Sequence, residues 1–544
     1  MPPTHEVTNQ ARPLYGFDAA AYPAMWDGLR TVEVDWATDE LHQLGRLAGS
    51  EQAQEWGRLA EQHPPVLRTH DRFGHRIDEV EFHPHWHDLM TVAVENGLHA
   101  APWADLRPGA HAVRAAKNFV WTLTDPGHVC PISMTYAAVP ALREQPDLAR
   151  VYEPLLASQV YDFGLREPTS KRGLIAGMSM TEKQGGSDVR ANTTTARPNP
   201  DGSYRIIGHK WFTSAPMSDV FLTLAQAPGG LSCFLLLRVL PDGTRNAIHL
   251  QRLKDKLGNR SNASSEIEYD GALGWLVGEE GKGVNTIIQM VNLTRLDCTL
   301  GSAAGMRVGA LQAIHHAQHR SAFGARLIEQ PLMTNVLADL AIEAEAATVS
   351  AMRLAGAVDK SLAGDEHESL LRRIGLAVMK YWVCKRAPAH AAEALECLGG
   401  NGYVEESGMP RLFRESPLMS IWEGSGNVAA LDALRAMAKQ PSSVEAYFAE
   451  LDTVSGVDSR LDDAVARLRK ELSNVDDIQY RARQVVETMA MALQGAWLHK
   501  HGNPAAADAF CASRLGGDWG VAFGTLPTGV DTATLINRGG PIGA

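Results

Sequence analysis

A chain of 544 residues with 45% hydrophobic content is too long for one typical core and too apolar for disorder, so two to four packed domains are expected. A net charge of −12 repels polyanions at long range, and six scattered cysteines without C-x-x-C spacing disfavour a disulfide framework or a thiolate zinc site. No basic leader precedes an apolar run and no apolar stretch reaches the roughly 18 residues of a spanning helix, so the cytoplasm is the expected location and no membrane partner is expected.

In chain order, residues 1–173 read as a helical N-terminal domain, with Ala-rich amphipathic stretches at 41–59 and 140–158. Residues 174–282 change texture to short β-rich runs (204–207, 220–225, 233–239, 266–269) between Gly, Pro and Asp turns, which predicts a compact antiparallel β domain. Residues 283–320 lack proline and are rich in Ala, Leu, Met and Gln, so they predict one long helix. Helical stretches at 333–360 and 368–398 supply partners for a bundle over 283–439. In 440–544, Leu461, Val465, Leu468 and Leu472 form an apolar stripe at helical spacing, a second helix is expected over 478–498, and the Gly-rich stretch from Gly516 reads as irregular. This last region is expected to be an appended helical domain.

Three separated segments carry the chemistry. Met180-Thr181-Glu182-Lys183-Gln184-Gly185-Gly186-Ser187-Asp188 is a hydroxyl-bearing loop with paired glycines, where backbone N–H groups can approach phosphates. Lys210-Trp211-Phe212-Thr213-Ser214 places an aromatic two positions before a hydroxyl, which on a strand puts both on one face. Ile421-Trp422-Glu423-Gly424-Ser425-Gly426-Asn427 holds one carboxylate between an aromatic and a glycine. Two other signals lead elsewhere. The alternate histidines of Phe82-His83-Pro84-His85-Trp86-His87 have no further ligand cluster beside them, so they read as loop packing and no metal is expected. Gly278-Glu279-Glu280-Gly281-Lys282-Gly283 lacks the P-loop spacing, and no strand-borne G-x-G-x-x-G occurs, which disfavours an NTPase or a Rossmann dehydrogenase.

The three segments, with Arg320-Ser321-Ala322-Phe323-Gly324 and Glu396-Cys397-Leu398-Gly399-Gly400-Asn401-Gly402-Tyr403, resemble the acyl-CoA dehydrogenase family in order and content. That resemblance implies a multidomain α+β fold and FAD as cofactor. It implies that Glu423 removes the α-proton of an acyl thioester, a task suited to a carboxylate whose pKa an apolar ligand raises. It further implies cofactor contacts from Met178, Met180, Thr181, Ser187, Trp211, Phe212, Thr213, Ser214, Ile421, Gly424, Ser425, Gly426 and Asn427. Arg320 and Phe323 match a segment that reaches the cofactor of a neighbouring subunit, and Arg295 matches a residue near the substrate. Asn292 stands where the family commonly has Asp, and Glu396 where it has glutamine; both argue against efficient handling of common fatty acyl-CoA substrates.

The extra C-terminal region, Arg68-Thr69-His70-Asp71-Arg72 and Glu405-Glu406 before Pro410-Arg411-Leu412 are similar to the AidB flavoprotein branch of that family. This likeness implies a homotetramer that binds double-stranded DNA during alkylation stress and protects or repairs it, with weak, isovaleryl-CoA-like dehydrogenase activity. A metabolic acyl-CoA dehydrogenase without a DNA role is the alternative. From Pro441 onward, nine Lys or Arg stand against thirteen Asp or Glu, so phosphate binding requires the cations to gather on one face. The candidates are Arg435, Arg460, Arg467, Lys470, Arg481, Arg483 and Arg514. Such binding is expected to be sequence-tolerant and salt-sensitive.

Overall fold

The computed structural model describes residues 4–105, 107–517 and 519–541. The chain divides into two compact units, each built from separated segments. One comprises Gln52–Ala110 and Thr124–Asp297; the other comprises Met1–Glu51, His111–Leu123 and Cys298–Ala544. The N-terminal region is therefore shared between the units rather than forming a body of its own.

The first unit is centred on a seven-stranded sheet. Its strand Val220–Ala227 pairs with Gly230–Leu237, which pairs with Ser264–Val277, then with Tyr204–Ser214, Thr195–Pro198 and back to Val220–Ala227. The pairings close a circuit. An all-antiparallel sheet was the expectation; instead Ala176–Ser179 joins Val220–Ala227 in parallel, Met178 opposite Leu222. Ile206, Phe221, Phe234, Leu236, Ile267 and Tyr269 fill its core. A hairpin, Val66–His70 with Arg76–Glu81, adds Val80 to this core. It lies within a region expected to be helical. Its strands expose most side chains, so no apolar alternation marks them in the sequence.

The second unit is helical. Pro331–Leu362 and Glu366–Glu396 pack on one another, and the former is buried nearly throughout from Leu337 to Val358. The predicted long helix runs from Gly283 to His319, and the boundary between the units falls within it. The expected stretch at 41–59 is two helices, Thr38–Ala48 and Glu51–Gln62, interrupted where a Cβ on Gly49 would lie 1.9 Å from the Phe17 carbonyl.

The C-terminal segment forms helices Pro441–Asp452, Ser459–Ser473, Ala482–His501, Pro504–Phe510 and Thr532–Gly539, the last where irregular chain was expected. These belong to the same compact unit as the bundle, so the segment is not a separate body. Buried ion pairs tie it in. Arg514 reaches Asp339 (2.5 Å) and Glu343 (2.9 Å), Arg538 reaches Asp27 and Glu345 (both 2.7 Å), and Glu450 meets Arg353 (3.3 Å) and the Trp497 indole N–H (2.8 Å). Burial would raise the Glu343 carboxyl, but Arg386 and Arg514 outweigh it and hold the group at about 2. Among the described residues no helix is long and apolar enough to cross a membrane.

Candidate functional site

In the first unit, the glycine loop and the Trp-x-Thr strand are stitched together. The Trp211 N–H donates to the Thr181 carbonyl at 2.8 Å. Beneath them Glu182 and Lys210 form a fully buried pair at 3.0 Å. The Glu182 carboxylate also accepts from the Thr193 N–H (2.7 Å), the Thr193 hydroxyl (2.9 Å), the Thr194 N–H (3.1 Å) and the Gln184 amide (2.8 Å). Lys210 donates onward to the carbonyls of Met180 (3.3 Å) and Leu224 (2.8 Å). Burial would raise Glu182, but Lys210 and these donors hold it well below the usual carboxylate range. Burial lowers Lys210 to about 8 against the pull of Glu182. The pair thus fixes both ends of loop 180–194, a role the sequence did not assign to either residue.

The loop itself offers its outer face to a ligand. Lys183 to Asp188 are exposed, Ser187 among them, and Gly185 sits at φ +140 with open space where a Cβ would be. Gly186 packs so closely that a Cβ would come 2.3 Å from the Thr181 hydroxyl. Met178, Met180, Thr181 and Trp211 are half-buried, and Phe212 is 54% exposed. Lys254 stands over both rings, 3.4 Å from the Trp211 centroid and 4.6 Å from that of Phe212. Exposed aromatic surface beside an exposed Gly-rich loop with backbone donors fits a planar group carrying phosphates. The expectation that Trp211 and Thr213 share one face fails locally. The register with Ser264–Val277 slips between Lys210 and Thr213, a bulge that breaks the alternation. Thr213 is 1% exposed, its hydroxyl bonded to Ser179 at 2.5 Å, while Ser214 lies 3.4 Å from Ser264, hydroxyl to hydroxyl.

In the helical unit, Ile421 and Trp422 form a turn whose N–H groups both donate to the Leu418 carbonyl, at 2.9 and 3.0 Å. Glu423 follows at φ +56, left-handed for a residue with a Cβ, and Gly424 continues at φ +101 before helix Gly426–Lys439 begins. Such a conformation costs about 1–3 kcal/mol and persists only where the surroundings fix it. One bracing contact is Lys380, 1% exposed on helix Glu366–Glu396, whose ammonium donates to the Gly424 carbonyl. Gly426 has Lys385 against it, 3.1 Å from where a Cβ would lie. Asn427 accepts from Arg483 at 2.9 Å, so this cation serves the turn and helix start rather than an outward face. The signal for Lys380 was a lone lysine inside the apolar run from Leu376 to Cys384.

Arg295 is buried on the long helix. Arg320 donates to the Asn9 carbonyl at 2.6 Å. Phe323 and Gly324, at φ +54 and +84, form the tip of a hairpin between Ser321–Ala322 and Ala325–Arg326, and Phe323 is 100% exposed.

Several of the candidate DNA cations are tied to partners within the chain. Arg514 is enclosed with its two carboxylates and presents no guanidinium outward, which removes it from that set. Arg460 is held by Asp458 (2.5 Å) and Asp508 (2.7 Å), and Arg481 by Glu471 (3.4 Å). Arg435 lies 3.5 Å from Asp432 and stays largely exposed; Arg467 and Lys470 are exposed on helix Ser459–Ser473. The histidines at 83, 85 and 87 serve local bonds, His85 to Asp88 (2.7 Å) and His87 to the Tyr161 hydroxyl (2.9 Å).

Residues 9–163 match the adaptive response protein AidB N-terminal domain, 177–272 the acyl-CoA dehydrogenase middle domain and 281–438 the acyl-CoA dehydrogenase C-terminal domain. The chain is 44% identical over 521 residues to AidB of Escherichia coli (strain K12), covering 95% of this chain and 96% of that one. It is 32% identical over 480 residues to acyl-CoA dehydrogenase family member 11 of Caenorhabditis elegans, covering 82% and 77%. Among solved structures, Caenorhabditis elegans ACDH-11 in complex with C11-CoA superposes with a TM-score of 0.85 at 29% identity, covering 94% and 93% of the two chains.

Proposed function

The chain belongs to the AidB branch of the acyl-CoA dehydrogenase family, FAD-dependent oxidoreductases, and from that premise we propose that it oxidises an acyl-CoA thioester between Cα and Cβ with Glu423 as the base. The observation that carries this reading is the Glu423 turn: a carboxylate held left-handed, followed by glycine and anchored from below by a buried lysine. FAD, when bound, supplies a two-electron acceptor for the β-hydride. The residues present fit it: Ser187 and the backbone of loop 183–188 would hold the pyrophosphate, Thr181 the ring edge, and Trp211 and Phe212 would flank the ring. Glu423 takes the α-proton onto its carboxylate and keeps it after the double bond forms. The C11-CoA bound to the nematode relative makes medium-chain thioesters the first substrates to try. The exposed Phe323 at its hairpin tip supports contact with a second copy, in keeping with a homotetramer.

The test is anaerobic bleaching of the FAD-loaded protein by acyl-CoA thioesters of graded length. Glu423→Gln is expected to slow bleaching about 10²–10⁴-fold with FAD content unchanged, the usual share of a general base. Unchanged bleaching in that variant would remove Glu423 from the reaction.

Binding to double-stranded DNA is the second reading, favoured by the exposed Arg467 and Lys470 on one helix, with the largely exposed Arg435 as a third candidate. Three phosphate contacts give a salt slope near −3 and an affinity drop of roughly 40-fold between 50 and 200 mM salt. No gel shift even at 50 mM salt would end this reading.

A further inference from the structure

The C-terminal segment brings together three metal-ligating side chains that no function above uses. Asp458 precedes helix Ser459–Ser473, His499 lies in the last turn of Ala482–His501, and Cys511 opens the π turn Cys511–Leu515. Their ligand atoms all lie within 4.8 Å of one another. The His499 Nε2 is 3.5 Å from the Cys511 Sγ and 3.5 Å from Asp458 Oδ2. We propose that Asp458, His499 and Cys511 hold one zinc ion through Oδ2, Nε2 and Sγ, with the fourth position left to water.

The His499–Asp458 separation is long for a hydrogen bond, while 3.5 Å from nitrogen to sulfur suits both a thiol hydrogen bond and two ligands of one ion. An N–H donor prefers oxygen at about 2.9 Å, and one Nε2 hydrogen cannot serve two partners well at once. Around a tetrahedral zinc with bonds of about 2.3 Å to sulfur and about 2.0–2.2 Å to nitrogen and oxygen, S···N comes to roughly 3.6 Å and N···O to roughly 3.4 Å. The two observed separations match both. Local charge agrees as well. Arg460 pairs with Asp458 and Asp508, so the three sum to −1. A zinc ion with a Cys511 thiolate adds +1 and brings the cluster to neutrality. Arg460 also sets the plane of the carboxylate ligand: its backbone N–H (2.8 Å) and Nε (3.0 Å) engage Oδ1, and its Nη2 donates to Oδ2 at 2.5 Å, which leaves the second lone pair of Oδ2 for the ion. Three ligands spread from 458 to 511, with no short spacing between them, left no motif in the sequence.

The experiment uses the full chain, stripped with chelator, dialysed and titrated with zinc alone. One zinc per chain is expected, with one sulfur and N/O scatterers in its X-ray absorption spectrum, and a rise in the thermal midpoint on binding. Cys511→Ser should remove the sulfur shell and weaken zinc at least tenfold. His499→Gln should weaken it similarly, and Cys397→Ser should leave both readings unchanged. Circular dichroism and FAD content confirm that each variant folds. Absence of stoichiometric zinc, a shell without sulfur in the wild type, or unaltered affinity in both ligand variants overturns the site.

Discussion

Lys210→Met tests the claim that a buried pair, rather than the glycines alone, organises the candidate phosphate loop. Methionine fills nearly the same volume, so packing is kept while the charge is lost. Glu182 would remain fully buried, with Thr193, Thr194 and Gln184 still donating but no cation beside it. The Met180 and Leu224 carbonyls would lose a donor as well. Breaking a buried pair on one side costs about 3–5 kcal/mol, a factor of roughly 10²–10⁴ in the population of the ordered loop. The assay is FAD affinity by fluorescence quenching, with urea unfolding of the same samples. FAD binding should weaken by about two orders of magnitude. Glu182→Gln should also weaken it, because an amide NH₂ would face donors already aimed at an oxygen. The two singles should not add, and the coupling in a double-mutant cycle should exceed about 1 kcal/mol. Lys210→Met with wild-type FAD affinity and less than about 1 kcal/mol lost in urea refutes the reasoning.

Lys380→Met should leave FAD content intact and lower kcat/KM about 10–100-fold, because an ion–dipole bond of about 1.5–3 kcal/mol no longer holds the turn at Glu423; steady-state rates within twofold of wild type would count against it. Gly186→Ala should weaken FAD binding, since the added carbon meets the Thr181 hydroxyl at 2.3 Å, and equal affinities by titration would show that the loop gives way freely. Acid should destabilise the helical unit through His390. Burial lowers it to about 4, while the unfolded value is 6.5, so the unfolded chain binds more protons between those limits. Stability contributed by the neutral ring is present above pH 6.5 and lost as pH falls toward 4, by about 3 kcal/mol. His390→Gln should flatten the unfolding free energy over that window, and an unchanged slope would contradict the assignment.

Elements whose chemistry is local were readable from the sequence. Helix Gly283–His319 has no proline and an Ala- and Leu-rich composition, and its predicted extent matches within a residue. The Glu423 segment stood out by residue type and order. What escaped depends on partners distant in the chain. The hairpin Val66–His70/Arg76–Glu81 buries little besides Val80 and Asp78, so its period was masked by polar side chains. The bulge between Lys210 and Thr213 is invisible until the opposing strand is in place. Lys380 was legible only as an anomaly, a lysine in an apolar run, and its acceptor is a backbone carbonyl that no sequence pattern records.

The cations of the C-terminal segment show why a charge inventory misleads in one particular direction. In the sequence, Arg514 reads as a candidate outward charge, and Arg538 and Lys500 have no acid three or four residues away. In the fold their partners are Asp339, Glu343, Glu345, Asp27 and Glu450, most of them enclosed on the bundle helices. A carboxylate buried in a helix interior is costly unless a cation arrives, and these arrive from the segment that follows the bundle. Removing residues 440–544 would therefore strip Arg538 from Glu345 and Arg514 from Asp339, leave Glu343 to Arg386, and remove apolar cover, so the segment is part of what makes the bundle sequence tolerable. That dependence explains why an acidic tail can carry nine cations and still offer few of them to a polyanion.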